Sequence, residues 1–168
     1  ESFNVNKAQT VFKRNLKDAG LIVGIGGGYT YADNDYTMES PYIKGLKIKR
    51  DHDNFRKILV GGSLKAKNWW FDEVEFEPAF IDTYKVIQGI ETDIKKAHTR
   101  SRLYMLANKL EKENFLLEGL DLEMNTAIGY TQYGLTDTAK VWYDCNGVSY
   151  PTPSLHGGEL GTRYASES

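Results

Sequence analysis

Residues 120–130 read LDLEMNTAIGY, and the fold turns on how this stretch is read. Leu120, Leu122, Met124, Thr126, Ile128 and Tyr130 alternate with Asp121, Glu123, Asn125, Ala127 and Gly129. Successive side chains of a strand point to opposite faces, so this two-residue period describes an extended ribbon with one apolar side and one polar or small side. The run is longer than the usual strand of about 5–6 residues and falls within the roughly 9–11 that a tilted strand needs to cross a bilayer in a barrel. Two expectations follow. The apolar side faces lipid in a membrane barrel, or it faces a protein core in a soluble sheet.

The same alternation recurs earlier in the chain. Leu21, Val23, Ile25, Gly27, Tyr29 and Tyr31 share one parity, with Ile22, Gly24, Gly26, Gly28, Thr30 and Ala32 between them, so one face is bulky and the other small. Alternate glycines let a neighbour approach the backbone closely or let the strand bend. Asp33, Asn34 and Asp35 supply turn chemistry after it. Ile58, Val60, Leu64 and Ala66, followed by a turn at Lys67 and Asn68 and then Val74, Phe76, Pro78 and Phe80, predict a hairpin. Pro78 lacks an amide hydrogen, which predicts that its strand is at an edge, bulged or broken there.

Residues 92–113 fit two patterns. Leu103, Leu106, Ala107 and Leu110 fall at helical spacing among strong helix formers, with Thr92 as a cap, and helix is the favoured reading. As a strand, Leu103, Met105 and Ala107 would share a face, and Glu113 with Asn114 would turn the chain into the next strand. After Asp144, glycines and prolines punctuate loops and a final short strand. The expectation is therefore one mainly β domain over residues 1–168, an antiparallel sheet or barrel of about eight strands, with one helix near residues 92–113.

Composition sets outer bounds. Apolar residues make up 40% of the chain and charged ones 26%, the proportions of a folding domain. A net charge of −2 offers no general field for nucleic acid, so nucleic-acid binding is disfavoured. The basic stretch Lys44, Lys47, Lys49, Arg50, Arg56 and Lys57 is interrupted by Asp51 and Asp53 and reads as a solvated strand pair or loop. A lone Cys145 excludes an internal disulfide and a multi-cysteine zinc site. No apolar run approaches the roughly 20 residues of a transmembrane helix, and the stretch from Glu1 lacks the basic and apolar parts of a signal peptide.

Candidate chemistry is sparse. Gly24, Gly26, Gly27 and Gly28 miss the dinucleotide fingerprint, because Tyr29 stands where its third glycine belongs and a turn, not a helix, follows. Asp33, Asn34, Asp35 and Glu39 are oxygen donors without calcium-loop spacing, and Asp51, His52 and Asp53 do not converge on an extended segment. Cys145 with His98 or His156 has no supporting motif. Glu73, Glu75 and Glu77 line one face of a strand about 7 Å apart, where like charges need water or cations, and with Asp121 and Glu123 they make a hydrated face. Trp69, Trp70, Phe71, Tyr29, Tyr31, Tyr130 and Tyr133 sit near strand ends, as in an interfacial girdle or the cap of a soluble core. No catalytic residue, metal site or cofactor is assigned, and the reading leans away from an enzyme.

The segments LIVGIGGGYTYADNDYT (21–37) and RSRLYMLANKLEKENFLLEGLDLEMNTAIGYTQYG (100–134) resemble strands of outer-membrane β-barrels, especially autotransporter translocator domains. The resemblance lies in glycine and aromatic strand ends and in the alternation, over about a third of the chain. It implies a non-enzymatic pore, anchor or translocator in an outer membrane, with lipid or detergent as its surroundings. Such barrels commonly end on an aromatic residue, whereas this chain ends Tyr164 to Ser168, and they are commonly longer, which implies a fragment or a smaller barrel. The runner-up is a soluble β-rich binding or structural assembly module that meets other protein subunits.

Overall fold

The computed structural model describes residues 4–40, 43–50, 53–87, 94–143, 148–151 and 159. Six long strands, β1 (Val5–Leu16), β2 (Leu21–Ala32), β5 (Phe55–Lys67), β6 (Glu73–Val86), β7 (His98–Lys112) and β8 (Leu122–Thr136), make one antiparallel sheet in the order β1-β2-β5-β6-β7-β8. The connection from β2 to β5 carries the hairpin β3 (Tyr36–Glu39) and β4 (Lys47–Arg50), and β9 (Val141–Tyr143) pairs with β10 (Ser149–Pro151) after the sheet. The expected antiparallel sheet is present. It is open: among the described residues β1 and β8 are free edges and do not close on each other into a barrel.

The two ends of the sheet differ. At one end the connections are shorter: 17–20 and 68–72 are tight turns and 113–121 is a longer loop. Each holds a residue in the left-handed region that turns favour: Gly20 at φ 63°, Asn68 at φ 57°, and Asn114 with Gly119 at φ 49° and 82°. At the other end the connections 33–54 and 87–97 are long.

The favoured helix near residues 92–113 is overturned, since His98–Lys112 is β7 and lies between β6 and β8. Its helical spacing is real but splits across a strand, with Leu106 and Leu110 on one face and Leu103 and Ala107 on the other. β7 carries apolar residues on both faces, so it lacks the two-residue contrast of a one-sided strand and mimics a helix. Pairing along its whole length then overrides local propensity. Thr92, read as the helix cap, lies outside the described residues.

Pro78 is also not at an edge, because β6 is interior. Its missing donor shows instead as a break: β5–β6 pairing stops at Gly61↔Ala79 and resumes at Leu64↔Phe76, skipping Gly62 and Ser63. The amino-terminal strand β1 was not anticipated. Its run VNKAQTVFKRNL alternates weakly, and its full-length register against β2 supplies the order that local pattern lacks.

The sheet is a single layer. Its buried apolar residues are the small or marginal ones, Ala32, Ala66, Ile94, Ala97 and Ala139, most of them at the long-loop end. There Ala97, Ala139 and Asp137 are all 0% exposed, and the Glu159 carboxylate accepts amide hydrogens from Lys95, Lys96 and Ala97. The large apolar side chains of the strands are not covered by any described element.

Candidate functional site

Register assigns every strand residue to a face, because directly paired residues lie on the same side of the sheet. One row runs Phe12, Ile25, Gly62, Pro78, Leu106, Ile128, the next toward the long connections runs Thr10, Gly27, Val60, Phe80, Tyr104, Tyr130, and the one after that turns polar, from Ala8, Tyr29 and Ile58 to Asp82, Arg102 and Gln132. Toward the tight turns the same face carries Leu64, Phe76, Asn108 and Thr126, then Ala66, Val74, Leu110 and Met124. This face is largely apolar across β2, β5, β6, β7 and β8, while β1 brings Phe12 to it between Thr10 and Arg14; Phe12 (68%), Ile128 (66%) and Tyr130 (56%) stand largely in the open. Arg14, Asn108 and Thr126 interrupt it within one row, and the Asn108 side-chain oxygen is buried with no hydrogen-bond partner.

Aromatic groups bracket the band. Toward the long loops, Phe80, Tyr104 and Tyr130 sit in one row, with ring centroids 5.0 Å apart for the first pair and 6.3 Å for the second. At the tight-turn end Trp69, Trp70, Leu116 and Leu117 project, the Trp70 ring meeting Phe71 edge-on at 4.6 Å. Trp69 Nε1 donates to the Ala19 carbonyl at 3.1 Å, tying two turns together. Over Gly62 and Pro78 the apolar face dips into a shallow hollow of about 630 Å³, lined by Ile25, Val60, Phe80, Tyr104, Ile128 and Tyr130.

The opposite face is polar at the tight-turn end. Lys67, Glu73, Glu111 and Glu123 form one cross-strand row, and Lys65, Glu75, Lys109 and Asn125 the next. Like charges stand side by side in the first row and are relieved diagonally. Glu73 pairs with Lys65 and, at 3.4 Å, with Lys67; Lys65 also lies 3.7 Å from Glu75, and Lys109 is 2.5 Å from Glu111. The structure thus places Glu73, Glu75, Glu77 and Glu123 on one face. Asp121 is not among them: it precedes β8, where its carboxylate accepts the Asn114 amide at 3.0 Å. Farther along, this face carries Gly24, Gly26 and Gly28, and a side chain on Gly24 would begin 2.5 Å from Ser63 Oγ.

The turn carboxylates serve the backbone. Asp72 accepts the Glu113 amide at 2.6 Å and the Lys112 ammonium at 2.9 Å, which together hold its carboxyl below the usual range. Asp33 is lowered by the Tyr31 hydroxyl and the Asn4 amide, Asn34 donates to the Asp53 carbonyl, and Glu39 accepts from the Gly45 amide. Among the described residues no three metal-ligating side chains gather. His52, Cys145 and His156 lie outside the described residues, and Asp51 with them.

Sequence reading missed one cluster. On the apolar face, beyond the tyrosine row, Arg56, Arg100 and Arg102 surround Asp82. Arg100 and Arg102 share a parity that is visible in the sequence, but only register brings Arg56 and Asp82 beside them. No described helix is long and apolar enough to cross a membrane, a test that is silent about strands. No protein-family model, curated protein or solved structure matches the chain, so any functional reading stands on this geometry alone.

Proposed function

We propose that the chain forms part of the wall of an outer-membrane type β-barrel, serving as a pore, anchor or translocator, with its apolar face toward lipid. One observation carries the reading: a largely apolar surface extends from β2 through β5, β6 and β7 to β8, and no described part of the chain covers it. Water would exact a large penalty for such a surface, at about 25 cal/mol per Å² of apolar area, and hydrocarbon would not.

Three features support it. From Leu122 to Tyr130 the band runs about 27 Å along the strand, or about 20 Å of depth at a 40° tilt, on the scale of the roughly 25 Å apolar belt of membrane barrels. Shorter connections at one end and longer ones at the other are the usual asymmetry of such barrels. Aromatic side chains flank the band at both ends, where their amphipathic rings suit the membrane interface. Small barrels need at least about eight strands. Closure therefore calls for strands beyond these six, added at the edges β1 and β8.

The hollow over Gly62 and Pro78 favours a second reading, in which the chain is a soluble β-rich module whose apolar face takes an apolar ligand or another protein subunit. Size-exclusion chromatography and circular dichroism with and without detergent separate the two. The barrel reading expects a monodisperse, β-rich species only in detergent or lipid, with heat-modifiable migration. A monodisperse, folded monomer in plain buffer would remove it.

A further inference from the structure

The geometry points to the arginine cluster around Asp82 as a binding site for the phosphate headgroup of an anionic lipid, whose acyl chains lie along the neighbouring apolar band. The inference rests on the reading that this face meets lipid, and it names the headgroup.

Asp82 is the buried anchor, its side chain 4% exposed. Arg100 binds it with two prongs, Nε to Oδ1 at 2.7 Å and Nη2 to Oδ2 at 3.1 Å. Arg56 and Arg102 approach the same carboxylate only to 3.8 and 3.7 Å, beyond hydrogen-bond reach. Three guanidinium groups against one carboxylate leave a local excess of two positive charges. On this face the cluster is flanked by Tyr31, Tyr84, His98 and Gln132, and the acidic group on the Tyr31 side, Asp33, accepts the Tyr31 hydroxyl at 2.6 Å. Arg56 is held over the Tyr84 ring at 5.6 Å, and its Nε is buried without a hydrogen-bond partner.

Position selects the ligand. Arg102 is two residues from Tyr104 on the same face, about 7 Å along the strand, so the cluster stands one step beyond the tyrosine row. Tyrosines in such a row mark the headgroup level of a membrane protein, and guanidinium forks match phosphate oxygens. The same tyrosines, Tyr104 and Tyr130, line the apolar hollow, which gives an acyl chain a continuous path from the charge. A free anion would use only the arginines. A phosphate-bearing amphiphile uses both surfaces.

The test reconstitutes the full chain in phosphatidylcholine nanodiscs and counts retained lipid by native mass spectrometry, with dioleoyl phosphatidic acid as the probe and dioleoylglycerol and inorganic phosphate as comparisons. Phosphatidic acid should be retained at least tenfold over dioleoylglycerol, and 10 mM inorganic phosphate should not displace it. The double variant Arg56→Gln/Arg102→Gln should lose that preference, Arg56→Lys/Arg102→Lys should keep part of it, and Lys7→Gln/Lys13→Gln on the other face should keep all of it. Circular dichroism and heat-modifiable migration on the same samples report folding and insertion. Insertion with equal retention by wild type and the arginine-to-glutamine variant, or displacement by inorganic phosphate, overturns the lipid site alone. Failure of the wild type to insert overturns this site and the barrel reading together.

Discussion

Met105 and Leu106 are neighbours on β7, each is 41% exposed, and they point to opposite faces of the sheet. Accessibility alone would treat them alike. Their rows do not: Leu106 lies between Pro78 and Ile128 on the apolar face, whereas Met105 lies between Ala79 and Gly129 on the face that carries the glycines and, farther on, the charged rows. The difference teaches that exposure in this chain has two meanings. On one side exposed large apolar groups are covered by no described element, and on the other charged groups pair with one another.

The sharpest way to break this comparison is to place the same charge on each side. Leu106→Arg should lower stability in lipid or detergent by about 2–4 kcal/mol, the cost of a basic residue near the middle of a lipid-facing band. Met105→Arg should cost less than half as much. Equal losses, measured by denaturant unfolding in micelles, would show that the faces see the same solvent.

The next effect sharpens the polar face as a closely packed one. Gly24→Val places side-chain carbon against Ser63 Oγ and should destabilise the sheet by about 1–3 kcal/mol, with much of the loss recovered by Ser63→Gly. A Gly24→Val variant as stable as wild type would mean that β2 and β5 do not adopt the described register.

Smaller still are the charges. Glu73→Ala removes the shared partner of Lys65 and Lys67 and should cost about 1 kcal/mol at most, because both lysines are partly solvated. Glu123→Ala on the edge strand removes a group that accepts a hydrogen bond from Asn125 and should stay within about 0.5 kcal/mol. Reversal of that order would undo the ion-pair network drawn on this face.

The smallest effect is set by acid. The Asp72 carboxyl titrates below its unfolded value of about 3.9. Its tether to Glu113 and Lys112 is therefore fully stabilising above that value and is lost as pH falls through the lower, folded pKa. Amide exchange at Glu113 should quicken across that acidic window, and Asp72→Asn should flatten the dependence. Unchanged pH dependence in the variant would remove Asp72 as its source.

Legibility in the sequence followed the chemistry of each strand. β8 was plain because polar and apolar residues alternate, β2 because bulky and small ones do, and the β5–β6 hairpin because Asn68 marks its turn. β7 misled, since an interior strand with apolar groups on both faces has no two-residue contrast and its leucines fall at helical spacing. Of the acidic residues grouped on one face, Glu73, Glu75 and Glu77 share a side by parity within β6, and register brings Glu123 to the same side. Asp121 left the group because the chain there has already entered the turn. The arginine cluster was invisible because its members come from three strands.

Local alternation determined that this chain is mainly β and which side of each strand is apolar, since side-chain direction in an extended backbone depends on parity alone. Only the tertiary structure decided that the strands form one open layer, that Pro78 sits inside it, and that Arg56, Asp82, Arg100 and Arg102 meet. Those outcomes depend on register between segments distant in sequence. Register is set by pairing along whole strands, which no short window of residues contains.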